Sequence, residues 1–325
     1  MPENNETSPA TPEEEKLNGL FPPVIAIISV ITTFENLLVI VILSKKPRNE
    51  LRIVSNCLVM NLAIADLMVG LVGEPLWISL YWVGEEASFL LMSEAPTAQY
   101  VTTRSVMVIA ATASRCTLLF LTLERYVALE MPLRREKLFS SVALNLYIFL
   151  IWLDGSVTAL LISFHDTRAV RLVFYFLPLF ELVVILVLYM RMFMIIRKFN
   201  KALLASEVRE PLIQSGDTFK LARRRECSFA KNIFLLVGTF VLCYLPFSVT
   251  RVVFYLSDCD SEQISFITQD TILLFYLSKC ALNPILYTFS IPGYRWQVKK
   301  MFYNIAMACI DRLPYTSNGA GIVSC

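Results

Sequence analysis

The chain has 325 residues, of which 56% are hydrophobic and only 17% are charged, with a formal net charge of +2 at pH 7. A soluble domain could not keep so much apolar surface away from water, so this composition excludes a soluble globular protein and predicts a membrane protein. A spanning helix needs about 20 mostly apolar residues. Seven stretches meet this requirement, with centres near Thr33, Ala63, Ala113, Trp152, Ile185, Phe240 and Phe275.

The segment before the first span, residues 1–21, is predicted to be an extracellular disordered tail, because it is rich in Pro, Glu, Asn and Thr. It lacks the basic and apolar parts of a cleavable signal, so we expect the first span to direct insertion itself. Asn5-Glu6-Thr7 is an acceptor triplet that makes Asn5 a candidate glycosylation site.

Basic residues define the predicted orientation, since Lys and Arg are enriched in short cytoplasmic loops. They crowd the first, third and fifth connections and the C-terminal segment: Lys45, Lys46, Arg48, Arg52; Arg134, Arg135, Lys137; Arg197, Lys198, Lys201, Arg223, Arg224, Arg225; Arg295, Lys299 and Lys300. The other loops are acidic or sparse in charge. We therefore expect a multi-pass protein with its N-terminus extracellular and its C-terminus cytoplasmic.

The spans carry polar motifs, one set per span. In chain order they are Glu35-Asn36, Asn61 to Asp66, Glu124-Arg125-Tyr126, Trp152, Pro178, Phe240 with Cys243-Tyr244-Leu245-Pro246, and Asn283-Pro284-Ile285-Leu286-Tyr287. Together they resemble the rhodopsin-like (class A) G-protein-coupled receptors. The resemblance implies an all-α membrane protein whose seven-transmembrane helix bundle covers residues 22–290. It also implies a plasma-membrane receptor for a heterotrimeric G protein, with arrestin as a further partner and with no enzymatic activity, cofactor or metal.

Ile291-Pro292-Gly293 interrupts the last span, and the pattern after it predicts a short amphipathic helix on the inner surface over residues 291–306. Residues 307–325 are then a cytoplasmic tail. Cys309, just past the helix, is a candidate for S-palmitoylation. Cys259 is the one extracellular cysteine of the predicted topology, which predicts no disulfide on that side.

The resemblance assigns the G-protein switch to the inner ends of the spans. Arg125 would pair with the adjacent Glu124 and, across the bundle, with Glu226 at the foot of the sixth span. Tyr126 and Tyr287 complete this switch group.

A helix-bend trigger would lie deeper in the sixth span, where Pro246 removes a helical hydrogen bond and permits a kink. Phe240 and Tyr244 would pack near this bend. Two residues depart from the family pattern: Tyr244 stands where a Trp is usual, and Leu186 stands where the fifth span usually has a Tyr.

Lys279 lies one turn before Asn283, which in turn lies one turn before Tyr287, so the three residues share one helix face. A charged side chain near the bilayer centre usually finds a partner, and Asp66 is the expected one. In the family this acid, with Ser114 and Asn283, surrounds a sodium ion, and Asn36 belongs to the same buried polar group. The ammonium group of Lys279 could replace that ion.

Two other functions remain open for these charges. A retinal-binding opsin also has a lysine in the seventh span, but two residues earlier, where Leu277 stands; this is about 200° around the helix. An ion or proton transporter is suggested by further charges in the spans, Glu35, Arg115, Asp154 and Glu181, although no inverted repeat supports it. A third interpretation is that these charges pair with one another and have a structural role.

Three features depart from the usual family pattern and resemble the branch of melanocortin, lysophospholipid and cannabinoid receptors. They are the Glu35-Asn36 pair, the short Phe164–Val170 connection, and Tyr100 where most relatives have a disulfide cysteine. Met107 stands where amine receptors have an aspartate, which favours a lipid or peptide ligand over an amine. The candidate ligand contacts are Trp77, Arg104, Met107, Phe247 and Arg251.

Overall fold

A computed structural model describes the chain in segments. They are residues 19–45, 54–83, 97–165, 167–209, 227, 235, 237–250, 252–253, 256, 266–290, 296–301, 303–304 and 307. Asn5, Glu226, Arg251, Cys259, Cys309 and the side chain of Tyr287 lie outside the described part.

Helices form each of the seven predicted spans. The first five are long and apolar enough to cross a membrane, and two shorter apolar stretches follow, Val237–Thr250 and Thr271–Leu286. The helix bounds are Phe21–Ser44, Val54–Met68 continued as Glu74–Val83, Ala98–Glu130, Ser141–Phe164, Arg168–Arg209, and Phe266–Ser290 for the seventh span. A short helix, Pro132–Leu138, lies between the third and fourth spans. The described chain is thus arranged as a helix bundle.

Local sequence explains where several of these helices begin. The Thr97 side chain accepts a hydrogen bond from the Tyr100 amide (3.2 Å), and Ser140 accepts one from Ala143 (3.3 Å), so each residue is an N-cap. The fourth helix ends at Phe164 and the fifth begins at Arg168, which confirms the very short connection predicted there.

The third span lies at the centre of the bundle, and the fourth span packs closely against it. A Cβ added at Gly155 would lie 3.0 Å from the carbonyl oxygen of Ile109, so this close approach favours glycine. A polar chain joins three spans nearby: the Trp152 indole donates to Asn61 (2.9 Å), and Asn61 donates to Thr117 (2.7 Å). Residues of the predicted motifs therefore hold the second, third and fourth spans together.

The second span contains a feature that periodicity did not predict, a π-helical turn over Val69–Gly73. The Glu74 amide bonds to the Val69 carbonyl, five residues back. Pro75 follows directly and has no N–H to continue the ordinary ladder, which gives a physical reason for the irregular turn. The turn presents Gly73 to the third span, where an added Cβ would lie 2.5 Å from the Met107 sulfur.

Candidate functional site

The buried polar site surrounds Lys279, which is only 2% exposed at mid-bundle. Its Nζ donates to Ser114 Oγ at 3.1 Å, and Asn283 donates to Asp66 Oδ2 at 2.6 Å. The site therefore unites the second, third and seventh spans around one acid and one amine. These four residues were all predicted to lie together, and the structure brings them together.

The expected direct bond between Lys279 and Asp66 is absent among the described residues, and this detail of the prediction was wrong. Ser114 accepts a hydrogen bond from the ammonium group, while Asn283 donates one to the carboxylate. Asp66 Oδ1 is buried and accepts no hydrogen bond from the described residues. Lys279 and Asn283 lie one helical turn apart, so the ammonium group and the carboxylate occupy the same part of the bundle. This pairing depends on how far the third and seventh helices are shifted along their axes relative to the second. Residue spacing within one helix does not determine that shift.

Two aromatic rings complete the surroundings of the ammonium group. Lys279 Nζ lies 5.5 Å from the Phe240 ring centre and 5.3 Å from that of Tyr276. Both distances are within the range of a cation–π attraction, which is strongest where water is excluded. The lysine thus connects the polar site to Phe240, one of the predicted trigger residues of the sixth span.

Asn36 links the first span to the same region. Its side-chain amide donates to Thr32 O (2.9 Å) and to Cys280 O (3.2 Å), and Cys280 directly follows Lys279. This places the last member of the predicted polar group beside the others.

At the C-terminal end of the third span, Glu124 accepts from the Arg125 guanidinium, and both side chains are almost fully buried. Two further partners were not predicted. Ser55 accepts from Arg125 at 2.6 Å, and Arg135 donates to Glu124 at 2.9 Å. Ser55 and Arg135 stand far from the motif in the sequence, so only the packed bundle shows that they share this cluster. Glu226, the predicted partner across the bundle, lies outside the described residues.

A cavity of about 600 Å³ lies next to this cluster, between the C-terminal parts of the third and fifth spans. Its lining includes Tyr126 from the predicted switch and Arg191 and Lys198 from the fifth span. The cavity therefore combines a switch residue with two basic side chains and the acidic Glu130.

The predicted trigger residues form an aromatic cluster. Phe240 and Tyr244 stack with ring centres 5.0 Å apart, and Tyr244 also contacts Phe247 and Tyr276, at 6.1 and 5.8 Å. Pro246 lies in the same helix and is exposed. Tyr276 was missed because an aromatic residue in an apolar span carries no pattern of its own.

The fifth span shows how the missing tyrosine is accommodated. Leu186 is exposed on the outside of the bundle, whereas Tyr189, one turn later, is buried. A buried tyrosine is therefore present in this span, one turn nearer to its C-terminal end.

In the described part of the chain, the candidate ligand contacts lie in different surroundings. Phe247 lines a small cavity of about 30 Å³ together with Arg115, Tyr244 and Tyr276. Met107 and Trp77 are each only 1% exposed and belong to the packed core. Arg104 is half-buried near the N-terminal end of the third span. Arg251 and the modification candidates Asn5 and Cys309 lie outside the described part of the chain.

Of the additional charges in the spans, Arg115 and Glu181 form a buried ion pair between the third and fifth spans. Cys116 lies next to it, with its sulfur 3.9 Å from both Glu181 and Asp154. This agrees with structural pairing rather than an ion path.

Glu74 was missed altogether: it is fully buried, and neither carboxylate oxygen has a hydrogen-bond partner among the described residues.

Several known proteins have sequences similar to that of this chain. Residues 35–287 match the family described as "7 transmembrane receptor (rhodopsin family)". The chain is 26% identical to the histamine H2 receptor of Homo sapiens over 305 residues, which cover 86% of this chain and 78% of that receptor. The histamine H2 receptor of Rattus norvegicus is also 26% identical, over 82% of this chain and 75% of the relative.

The match covers every span that carries a motif, and it confirms the seven-helix membrane bundle and the receptor function. It gives no support to a transporter or to a retinal-binding photoreceptor. The relatives are multi-pass plasma-membrane receptors that act through G proteins, and the family is not one of enzymes. The chain belongs to the rhodopsin family of seven-transmembrane, G-protein-coupled receptors.

Proposed function

We propose that this receptor responds to a lipid or peptide ligand rather than to an amine, and that it belongs with the melanocortin, lysophospholipid and cannabinoid branch. The observation that carries this proposal is Met107. The relatives are histamine receptors by name, yet this position, where amine receptors have an aspartate, holds a thioether in contact with Gly73 of the π-helical turn. An apolar side chain there has no charge to attract an ammonium group.

The proposed orientation places the N-terminus outside the cell and the C-terminus inside. Its support is the excess of Lys and Arg in alternate connections. The basic Pro132–Leu138 helix, with Arg135 bonded to Glu124, then faces the cytoplasm.

Signal transfer would use the Arg125 cluster. In the resting receptor, Arg125 is held by Glu124 and Ser55, and we propose Glu226 as its partner across the bundle. Ligand binding would release this cluster, let the sixth span move about Pro246, and open the inner side near Tyr126 and Tyr287 to a helix of the G protein. Arrestin would use the same inner surface.

Lys279 is proposed to be a built-in cation that replaces the sodium ion of related receptors. The residues do not fit a sodium ion together with this lysine, because Ser114, which would bind the ion, accepts from the ammonium group instead. A second cation would also lie close to the first in a pocket with little solvent, where like charges repel strongly.

Expression of the receptor with a panel of G-protein activation reporters tests the ligand proposal. Pools of lipids, peptides and amines are applied to receptor-expressing cells and to matched cells expressing Arg125→Ala. A response to a lipid or peptide pool that requires Arg125 is expected. A response confined to amines would contradict the proposed ligand class.

Sodium dependence of agonist binding tests the role of Lys279. Wild-type affinity should be the same in sodium chloride and in an equal concentration of a bulky organic cation. A sodium-specific change in wild-type affinity would refute the built-in cation.

A further inference from the structure

Arg115 lies between two cavities that the established receptor function does not use. The smaller one faces the aromatic cluster and includes Tyr244 and Phe247 in its lining. The larger one, of about 220 Å³, lies between the fourth and fifth spans. Both have Arg115 in their walls, so this guanidinium can be reached from either side.

The ion pair with Glu181 leaves most of the guanidinium unused. Glu181 accepts from Nε, and the described residues accept no hydrogen bond from the two terminal nitrogens. Arg115 lines both cavities, so part of its guanidinium reaches a cavity surface. A guanidinium carries five N–H donors in a planar fork that suits a carboxylate. The side chain itself is only 6% exposed, which places these donors where water is scarce.

The rest of the larger cavity is apolar and opens sideways. Apart from Arg115 and Thr158, its lining consists of apolar residues: Leu161, Ile162, Ala169, Val170, Val173, Phe174, Leu177 and Pro178. Leu161, Val173 and Leu177 are exposed on the outside of the bundle. In a membrane-spanning receptor this outer surface faces lipid tails, so the groove is open to the bilayer.

We propose that this groove, hereafter the Arg115 groove, binds a single-chain lipid with a carboxylate head group. The chain would lie between the fourth and fifth spans, and the carboxylate would accept hydrogen bonds from the terminal nitrogens of Arg115, with Thr158 as a second donor. Two carboxylates lie near Arg115: Glu181 forms the ion pair with it, and Asp154 contacts the neighbouring Cys116. Neither carboxylate belongs to the lining of the groove, so the head group would approach Arg115 from the groove.

This inference rests on the proposed lipid ligand and names the class of lipid. It also supplies a route for the signal, since Arg115 belongs to the wall of the cavity that contains Tyr244. A carboxylate drawn to Arg115 would compete with Glu181 and alter the contact between the third and fifth spans beside the aromatic cluster.

Photolabelling of the purified full-length receptor in phosphatidylcholine nanodiscs tests the groove. The probe is a diazirine-bearing analogue of palmitic acid, the competitors are palmitic acid and its methyl ester, and the labelled positions are mapped by mass spectrometry. We expect labelling within residues 158–178 and competition by the acid that is about tenfold or more stronger than by the ester, as for a charge-assisted hydrogen bond. Equal competition by acid and ester would overturn the proposal, as would labelling spread evenly over the lipid-facing helices.

Two variants examine the head-group and tail contacts separately. Arg115→Met combined with Glu181→Gln removes the cation without leaving an unpaired buried carboxylate, and it should abolish the preference for the acid. Ala169→Phe should block the groove while leaving Arg115 in place, and Leu160→Phe is the matched control on an exposed surface of the fourth span. Retained acid preference in the double variant, or equal labelling of the Ala169→Phe and Leu160→Phe receptors, would refute the site.

This experiment needs no G protein, so it separates two failures. Acid-selective labelling without any response to lipids would contradict the proposed ligand class but would still support lipid binding in the Arg115 groove. A response to lipids without acid-selective labelling would do the reverse.

Discussion

Replacing Lys279 with methionine removes the ammonium group of the buried polar site and keeps an unbranched apolar stem. Asp66, which is fully buried, would retain the hydrogen bond from Asn283 and lose its cation. Breaking a buried pair from one side costs about 3 to 5 kcal/mol. We expect the lower end, about 3 kcal/mol, because Ser114 and not Asp66 takes the ammonium group directly.

The double variant Lys279→Met with Asp66→Asn should recover most of this loss, because replacing both charges of a buried pair is often close to neutral. The measurement is thermal unfolding of the four proteins of this double-mutant cycle in detergent, supported by surface expression. The coupling between the two sites is expected to be about 2 to 3 kcal/mol.

Lys300→Met is the matched control, since Lys300 also lies over an aromatic ring, Trp296, but near the end of the described chain rather than inside the bundle. This control should unfold close to the wild-type temperature. Additive effects of Lys279→Met and Asp66→Asn, without recovery in the double variant, would refute the argument that the two charges form one buried unit.

Arg125→Ala should abolish G-protein activation. The surface level should stay normal, because Glu124 keeps Arg135 and Ser55 as partners; unchanged activation in the reporter assay would contradict the switch. Glu226→Ala should raise basal activity about tenfold if it weakens the resting state by about 1.4 kcal/mol, and lower basal activity at equal surface level would count against this. Glu74→Met should stabilise the receptor by about 1 to 3 kcal/mol, because an unpaired buried carboxyl group is replaced by an apolar one; a lower melting temperature than that of the exposed-site control Glu136→Met would show that Glu74 has a partner. Acyl-exchange labelling should fall in Cys309→Ser, and labelling equal to wild type would exclude palmitoylation at that cysteine.

The spans and the receptor class could be read from the sequence because both depend on local properties. An apolar stretch long enough to cross a bilayer must hydrogen-bond its own backbone, so it forms a helix whatever its neighbours do. The motifs Glu124-Arg125-Tyr126 and Asn283-Pro284 are contiguous, and the four-residue spacing of Lys279 and Asn283 places both on one helix face without any knowledge of the bundle.

The partners of these residues depended on tertiary packing. Arg115 and Glu181 are 66 positions apart, and Lys279 and Ser114 are 165 apart. Such pairs depend on how far each helix is shifted along, and rotated against, the next one. In the second span, the π-helical turn before Glu74 also changes the rotation of the residues that follow it. The burial of Met107 and Trp77, which sequence placed in a ligand cavity, has the same origin.

The sequence by itself thus determined that this chain is a seven-span receptor, and it identified most members of the buried polar site and the inner switch. Only the tertiary structure decided that Ser114 receives the lysine, that Ser55 and Arg135 hold Glu124, and that Arg115 faces a groove open to the bilayer. The physical reason is that helix formation is governed by neighbours along the chain, whereas contacts between side chains are governed by the relative heights and rotations of packed helices.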